Sequence, residues 1–296
     1  MNEQPRQTIS YLQALLGERR IRPKNKLGQN FLVDLNLLDV LLKAAEVSAT
    51  DLAWEVGTGT GSLTARLAEL AGAVVSVEID PAFHQMAREL LPERPNLRLI
   101  LRDVLKGKNE LASEVLATLD ELATQFNCTQ RKLIANLPYA VATPVIGNIL
   151  VSGLPIDRLV VTVQWEIAER LMAPVGSSVY SSLAVFVQSV AEVELVRKLP
   201  PTVFWPRPLV DSAIVLIKPN ASKRSLVGDV PRFRVFLRNL YVHRRKNLRG
   251  ALAGWPTGRR EKSDVDGKLA ELGIPGSIRA EDLDIAQHLR LCAVFG

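Results

Sequence analysis

Residues 52–62, "LAWEVGTGTGS", decide the fold. Leu52 to Val56 form an apolar run of strand length, the chain turns through Gly57, Gly59 and Gly61, and "LTARLAELAG" (63–72) takes up helical spacing. Strand, glycine turn and helix open an α/β unit in which a ligand approaches the backbone closely, because glycine has no Cβ to hold it off. The spacing is G-x-G-x-G followed by Ser62, so the third glycine of the dinucleotide fingerprint is missing from its place. No lysine stands at a P-loop position either.

The pattern repeats downstream. "AVVSVEI" (73–79) reads as a β-branched strand, and "DPAFHQMARELL" (80–91) as a helix with Asp80 as N-cap and Pro81 at its first position. "LRLIL" (97–101) and "RKLIAN" (131–136) are further strands, with a helix expected within 109–126. "DRLVVTV" (157–163), "AEVELVRKL" (191–199) and "DSAIVLIK" (211–218) complete seven. Alternation with helices predicts a mostly parallel sheet covered on both faces. Only about a dozen residues join the last two strands, too few for a helical crossover, so the last strand is expected to be antiparallel. Upstream, "TISYLQALLGERR" (8–20) and "LNLLDVLLKAAE" (35–46) read as helices, the second with Asp34 as its N-cap. From Pro219 the pattern changes to a polar linker and short helices. The expected division is therefore 1–219, an α/β domain with a helical, basic N-terminal extension, and 220–296, a helical domain.

Charge follows that division. Residues 219–296 hold 15 Lys and Arg against 8 Asp and Glu, while residues 1–218 hold 22 against 23. A second basic cluster, "RRIRPKNK" (19–26), contributes Arg22, Lys24 and Lys26. Two basic clusters flanking a neutral body indicate a polyanion partner. Arg244, Arg245, Lys246 and Arg249, read at helical spacing, are the candidate phosphate contacts. No apolar run approaches the roughly 20 residues that span a bilayer, so no membrane partner is expected. The opening "MNEQPRQTIS" lacks a signal pattern, and two distant cysteines fit a reducing cytoplasm. Cys128, Cys292 and three scattered histidines form no metal spacing.

Polar groups stand at successive strand ends, where ligands sit in open α/β sheets. The glycine loop is first. Glu78, 21 residues after Gly57, can accept from ribose hydroxyls, a feature that suits NAD and S-adenosylmethionine equally. Asp103 can accept from an adenine amine. With no phosphate cradle, S-adenosylmethionine is favoured. After the fourth strand comes "NLPY" (136–139). An exocyclic adenine amine is a poor nucleophile because its lone pair is delocalised. The Asn136 side-chain oxygen and a backbone carbonyl can accept its two N–H bonds and aim the lone pair at a methyl group. Tyr139 offers a flat face to an unstacked base, and Pro138 stiffens the turn.

With these motifs the chain resembles the ribosomal RNA adenine dimethyltransferase family, in its bacterial, KsgA-type small-subunit branch. The likeness runs through "NKLGQNFL" (25–32), "WEVGTGTGSLT" (54–64), "NLPYAVATP" (136–144), "QWEIAERL" (164–171), "TVFWPRPLVDSAIVLI" (202–217) and "HRRKNLRGAL" (243–252). It implies a class I S-adenosylmethionine-dependent, Rossmann-like domain plus a small all-helical one. The implied reaction makes N6,N6-dimethyladenosine at two adjacent adenosines near the 3′ end of 16S rRNA. The basic last quarter, which can orient on phosphates without reading sequence, adds the small ribosomal subunit or its assembly intermediate as expected partner, with a partly assembled subunit preferred. Gln29, Asn30 and Leu32 match the N-terminal cofactor motif. Gly57, Thr58, Gly59, Gly61, Glu78, Asp103 and Asn136 match the remaining cofactor contacts. Asn136, Leu137, Pro138 and Tyr139 match the target-base motif, and Phe204 a second aromatic that stacks on the base, with core packing as its rival role. Gln164, Glu166 and Arg170 are assigned structural roles. Ala140, Arg102, Ser181-Ser182 and a long 104–130 stretch depart from the family pattern. A cytoplasmic monomer is expected. The rival readings are a large-subunit adenine methyltransferase of the antibiotic-resistance type, a non-catalytic RNA-binding relative and a nicotinamide oxidoreductase.

Overall fold

Seven strands form the central sheet of the computed structural model: β1 (Asp51–Val56), β2 (Ala73–Glu78), β3 (Leu97–Leu101), β4 (Gln130–Asn136), β5 (Arg158–Gln164), β6 (Ala191–Leu199) and β7 (Ser212–Pro219). The structure describes residues 8–107 and 110–296. Residues 1–7, in the opening stretch that lacks a signal pattern, and 108–109, in the long 104–130 stretch, lie outside it. The strand order is β3-β2-β1-β4-β5-β7-β6. β1 pairs parallel with β2 and β4, β2 with β3, and β4 with β5. β7 runs antiparallel to β5, with Ala213 opposite Val163 and Val215 opposite Val161. The expected reversal of the last strand is therefore present, and β7 inserts between β5 and β6. β1 and β2 are buried at every position, as central parallel strands covered on both faces must be. β6 is mostly exposed and carries charges, which suits an edge.

Helices α1 (Ile9–Glu18), α2 (Asn36–Ala45), α3 (Ser62–Leu70), α4 (Pro81–Leu90) and α5 (Ser113–Gln125) accompany the first four strands. The Thr8 hydroxyl accepts the Tyr11 N–H at 3.1 Å and starts α1. Asp80 caps α4 through the Ala82 N–H at 3.1 Å, with Pro81 next to it. Asp34 stands one residue before the N-cap of α2, which is Leu35, and takes the Asn36 N–H at 3.0 Å.

A ribbon beside the site escaped the sequence reading. Phe31–Leu32 pairs antiparallel with Phe204–Trp205 as a two-stranded ribbon. Alternation splits its side chains: Leu32 and Phe204 enter a core with α2, α3 and the sheet, while Phe31 and Trp205 join Leu12, Leu16, Phe83 and Met86.

The chain divides into two units, 1–149 with 153–168 and 194–218, and 150–152 with 169–193 and 219–296. This differs from a single cut at 219/220. The cause is α8 (Ser182–Val190), which follows α6 (Ala142–Ser152) and α7 (Trp165–Leu171) and is buried along nearly its whole length. It packs with α9 (Ala221–Val227), α10 (Val230–Tyr241) and α13 (Ile285–Phe295) of the second unit. α11 (Leu248–Ala253) and α12 (Lys262–Glu271) complete that unit. Asn220, Asp229, Asn247 and Asp284 cap α9, α10, α11 and α13, each taking the backbone N–H three residues on. The Asn247 cap restarts the helix, so His243–Lys246 lie in a turn and the expected helical spacing of Arg244 to Arg249 does not exist. Among the described residues no helix is long and apolar enough to cross a membrane.

Candidate cofactor and base-binding site

The glycine loop leaves β1 with Gly57, Gly59 and Gly61 all at positive φ (88°, 54° and 79°), a path that side-chain-bearing residues take only with strain. A Cβ on Gly59 would also meet the Phe31 ring at 3.0 Å. The loop is tied to β2. The Gly59 N–H donates to Glu78 Oε2 at 2.9 Å, and the Asp80 N–H to Glu78 Oε1 at 2.9 Å. Burial pushes the Glu78 carboxyl above the usual range, partly offset by these two donors. Gly57, Gly59, Thr60, Ser62 and Glu78 then line one cavity. Gly61 ends the loop as the N-cap of α3. Thr58 is buried and its hydroxyl lies 2.6 Å from that of Ser76.

The N-terminal arm closes the cavity from the other side. Gly28 sits so near the NLPY turn that a Cβ there would be 2.9 Å from the Tyr139 backbone nitrogen. The next residues then line the cavity: Gln29, Asn30 and Leu32. Asn136 Nδ2 donates to the Asn30 carbonyl at 2.7 Å. That bond sets the carboxamide, since its oxygen would repel the carbonyl oxygen, and Oδ1 is left as an acceptor on the cavity side. Pro138 packs on Gly57 and Leu137 is 1% exposed. The Tyr139 hydroxyl is 2.6 Å from that of Ser212, which fixes a half-buried ring. Asp103 lies in an adjoining recess with Ile79, Val104 and Pro138, and its Oδ1 accepts the Leu105 N–H at 2.9 Å. Arg102 pairs with Glu114, 2.9 Å away, and not with the Asp103 carboxyl.

Glu55 is a site residue that the sequence reading missed. It is 1% exposed, lines the cavity beneath the glycine loop, and accepts from the Thr64 and Ser76 hydroxyls on Oε2 at 2.5 and 2.6 Å. Burial pushes its carboxyl up to about 8, against the two hydroxyl bonds and with help from nearby Glu78. One signal was available: a lone acid inside an apolar strand, two residues before a glycine turn.

Several expected residues stand elsewhere. Phe204 is 1% exposed and belongs to the core, not to the cavity wall. Burial of such a ring is worth about 1.5–3 kcal/mol, which would be forfeited if it swung out to a base. Gln29 spends its carboxamide on Asp80 (3.1 Å) and the Lys24 N–H (2.6 Å). Lys24, expected to meet phosphate, pairs at 2.9 Å with the same Asp80, whose side chain is 1% exposed. Burial disfavours ionised Asp80, but Lys24 and Gln29 outweigh it and hold the carboxyl below its ordinary range. Arg244 bonds Glu281 at 2.7 Å and the Ser178 carbonyl, and Arg249 grips Asp266 through both Nε and Nη2. Arg22, Lys26, Arg245 and Lys246 are exposed and, among the described residues, take part in no ion pair.

Among the described residues no cation lines the main cavity, whereas Glu55 and Glu78 do. Such a wall offers a diphosphate no counter-charge and suits a cationic, phosphate-free nucleoside, which is what S-adenosylmethionine is. The family model of ribosomal RNA adenine dimethylases matches residues 20–293. The chain is 37% identical to the ribosomal RNA small subunit methyltransferase A of Geobacillus thermodenitrificans, over 90% of this chain and 89% of that one. A solved dimethyladenosine transferase from Plasmodium falciparum superposes with TM-score 0.70 at 26% identity, covering 88% of this chain and 96% of the other. The 23S rRNA methyltransferase ErmE has TM-score 0.61 at 23% identity over 90% of this chain and 99% of its own, a likeness of fold. The strand-end cavity, the anchored Asn136 and these relatives converge: the chain belongs to the ribosomal RNA adenine dimethylase family.

Proposed function

We propose that the cavity and the NLPY turn together dimethylate, at N6, two adjacent adenosines near the 3′ end of small-subunit rRNA. As a member of its family the protein is an S-adenosylmethionine-dependent rRNA adenine methyltransferase, and its 37% identical relative is named for the small subunit. When bound, the cofactor supplies an electrophilic methyl group on a sulfonium that is already a good leaving group. Glu78 and Asp103 hold its adenosine, and Gly57 to Gly61 let it lie against the backbone. Asn136 Oδ1 and the Leu137 carbonyl take the two N–H bonds of the incoming amine, so its lone pair faces the methyl carbon. With the cofactor bound, these acceptors would hold the amine in line for transfer of the methyl group from sulfur to nitrogen, and the proton the amine gives up would pass to solvent. In-line positioning then carries most of the rate, with no tuned general base required.

The observation that carries this reading is the bond from Asn136 Nδ2 to the Asn30 carbonyl, which presents an amide oxygen to the cavity. Arg22, Lys26, Arg245 and Lys246 are the exposed cations available to phosphates. Phosphate contacts orient without reading sequence, so RNA shape supplies selectivity. The substrate is then a partly assembled small subunit, met by a monomer in the cytoplasm. The test incubates the protein and cofactor with small subunits, large subunits and naked rRNA from cells lacking the gene, followed by mass spectrometry of the RNA. Dimethyladenosine confined to the small-subunit sample is expected. Equal modification of naked rRNA, or of the large subunit, would overturn the substrate assignment.

A further inference from the structure

Glu55 is the most deeply buried ionisable group on the cavity wall, and the reaction as described makes no use of it. Its Oε2 receives both nearby hydroxyls, Thr64 from α3 and Ser76 from β2. Because the single Ser76 hydrogen is given to Glu55, the Thr58 hydroxyl 2.6 Å from Ser76 donates in turn, so the chain of bonds reaches the glycine loop. Oε1 has no donor among the described residues and belongs to a side chain that lines the cavity. Among the described groups that share its cavity, Glu78 from β2 is the other ionisable one. Thr64 from α3, Asn30 and Gln29 from the N-terminal arm and Asn136 from β4 are neutral. An ionised Glu55 therefore has nothing to balance it in the cavity itself.

The cofactor supplies what the cavity lacks, since its methionine end carries an ammonium and a sulfonium. With Glu78 and Asp103 at the adenosine end, that cationic end falls toward Glu55. We propose that Glu55 is a proton-linked positioning residue, neutral before the cofactor enters and ionised once a cationic group of S-adenosylmethionine lies against Oε1. The O–H bond breaks, its electron pair stays on the carboxylate, and the proton leaves to bulk solvent. Burial has already set the carboxyl at about 8, so the proton is present at neutral pH and available for release. This inference rests on the cofactor assignment above.

Calorimetric titration of the full chain with S-adenosylmethionine at pH 7, in two buffers of different ionisation enthalpy, counts the protons. Wild type is expected to release close to one proton per cofactor, and Glu55→Gln none. Wild-type affinity should rise about tenfold per pH unit below pH 8 and then level off, while Glu55→Gln stays flat. S-adenosylhomocysteine lacks the sulfonium. Release with both compounds assigns the ammonium as the partner, and release with S-adenosylmethionine alone assigns the sulfonium. Infrared difference spectra of wild type give a readout that needs no variant: a protonated-carboxyl band at pH 7 should vanish on binding. Binding without proton release, the same release from Glu55→Gln (which would point to Glu78), or a band that persists would each overturn the proposal. Failure to bind the cofactor at all would instead overturn the assignment on which it rests.

Discussion

The cavity beside Gly57 and the basic segment after Pro219 both hold charges that the sequence flagged, yet the two regions use them in different ways. In the cavity, Glu78 and Glu55 are buried carboxyls that face open space, and among the described residues no cation lines the space they share. In the helical unit, half of the flagged cations are already committed: Arg244 to Glu281 and Arg249 to Asp266. A motif names groups by their place at a strand end, and that place survives folding. A charge count names groups by type alone, and folding then consumes some of them in internal pairs. The comparison teaches which flagged residues remain available to a partner.

The largest effect expected is at the cavity. Asn136→Ala should lower single-turnover methyl transfer about 1,000-fold, or ~4 kcal/mol, as for loss of a preorganised transition-state contact. RNA binding should be unchanged, because the substitution leaves the exposed cations intact. A rate within a few-fold of wild type would break the comparison at its strongest point.

A second test sets one buried titratable group of each unit against the other. Folding raises the Glu55 carboxyl from 4.5 to about 8, so its contribution is fully favourable below pH 4.5 and is lost as pH rises through 8. His288, fully buried with Nδ1 2.8 Å from the Asp284 carbonyl, is pushed from 6.5 down to about 4 by burial. Its contribution is present above pH 6.5 and is lost as pH falls through 4. By linkage each is worth about 3 kcal/mol, for Glu55 between pH 4.5 and 7 and for His288 between pH 6.5 and 4. Thermal melts without cofactor should therefore show Glu55→Gln raising Tm at pH 7 but not at pH 4.5. His288→Gln should flatten the acid side of the profile. Parallel pH profiles for the two variants would contradict the opposite signs.

Glu78→Ala comes next, with a loss of about 1.5–3 kcal/mol in cofactor affinity, the range for hydrogen bonds to a charged group. Unchanged affinity in a folded variant, measured by titration, would remove Glu78 from the site.

The smallest effect sharpens the comparison most. Neutralising Arg245 and Lys246 together should reduce the slope of log affinity against log salt for small-subunit binding by about 1–2, with Tm unchanged. Neutralising Arg244 and Arg249 should leave that slope nearly intact and change Tm slightly, since partly exposed ion pairs contribute little. If the second pair flattens the salt dependence more than the first, the pairs seen with Glu281 and Asp266 open on RNA.

What the sequence determined by itself was whatever depends on near neighbours along the chain. The seven strands, the antiparallel last one, the glycine turn, the Asp80 cap and the Asn-Leu-Pro-Tyr turn were all legible, because periodicity, turn chemistry and capping act within a few residues. Tertiary structure decided whatever depends on groups distant in sequence. Phe204 went to the core because a ribbon with Phe31–Leu32, more than 170 residues away, sets which way alternate side chains point. Lys24 was taken by Asp80, and Arg244 by Glu281, because buried or half-buried carboxylates lay within reach of long flexible cations. α8 joined the helical unit because its apolar faces pack on helices that come after Pro219. Glu55 became a site residue for the same reason: an acid in an apolar strand has no assigned partner until β2, α3 and the N-terminal arm close around it, and desolvation by that enclosure is what sets its proton.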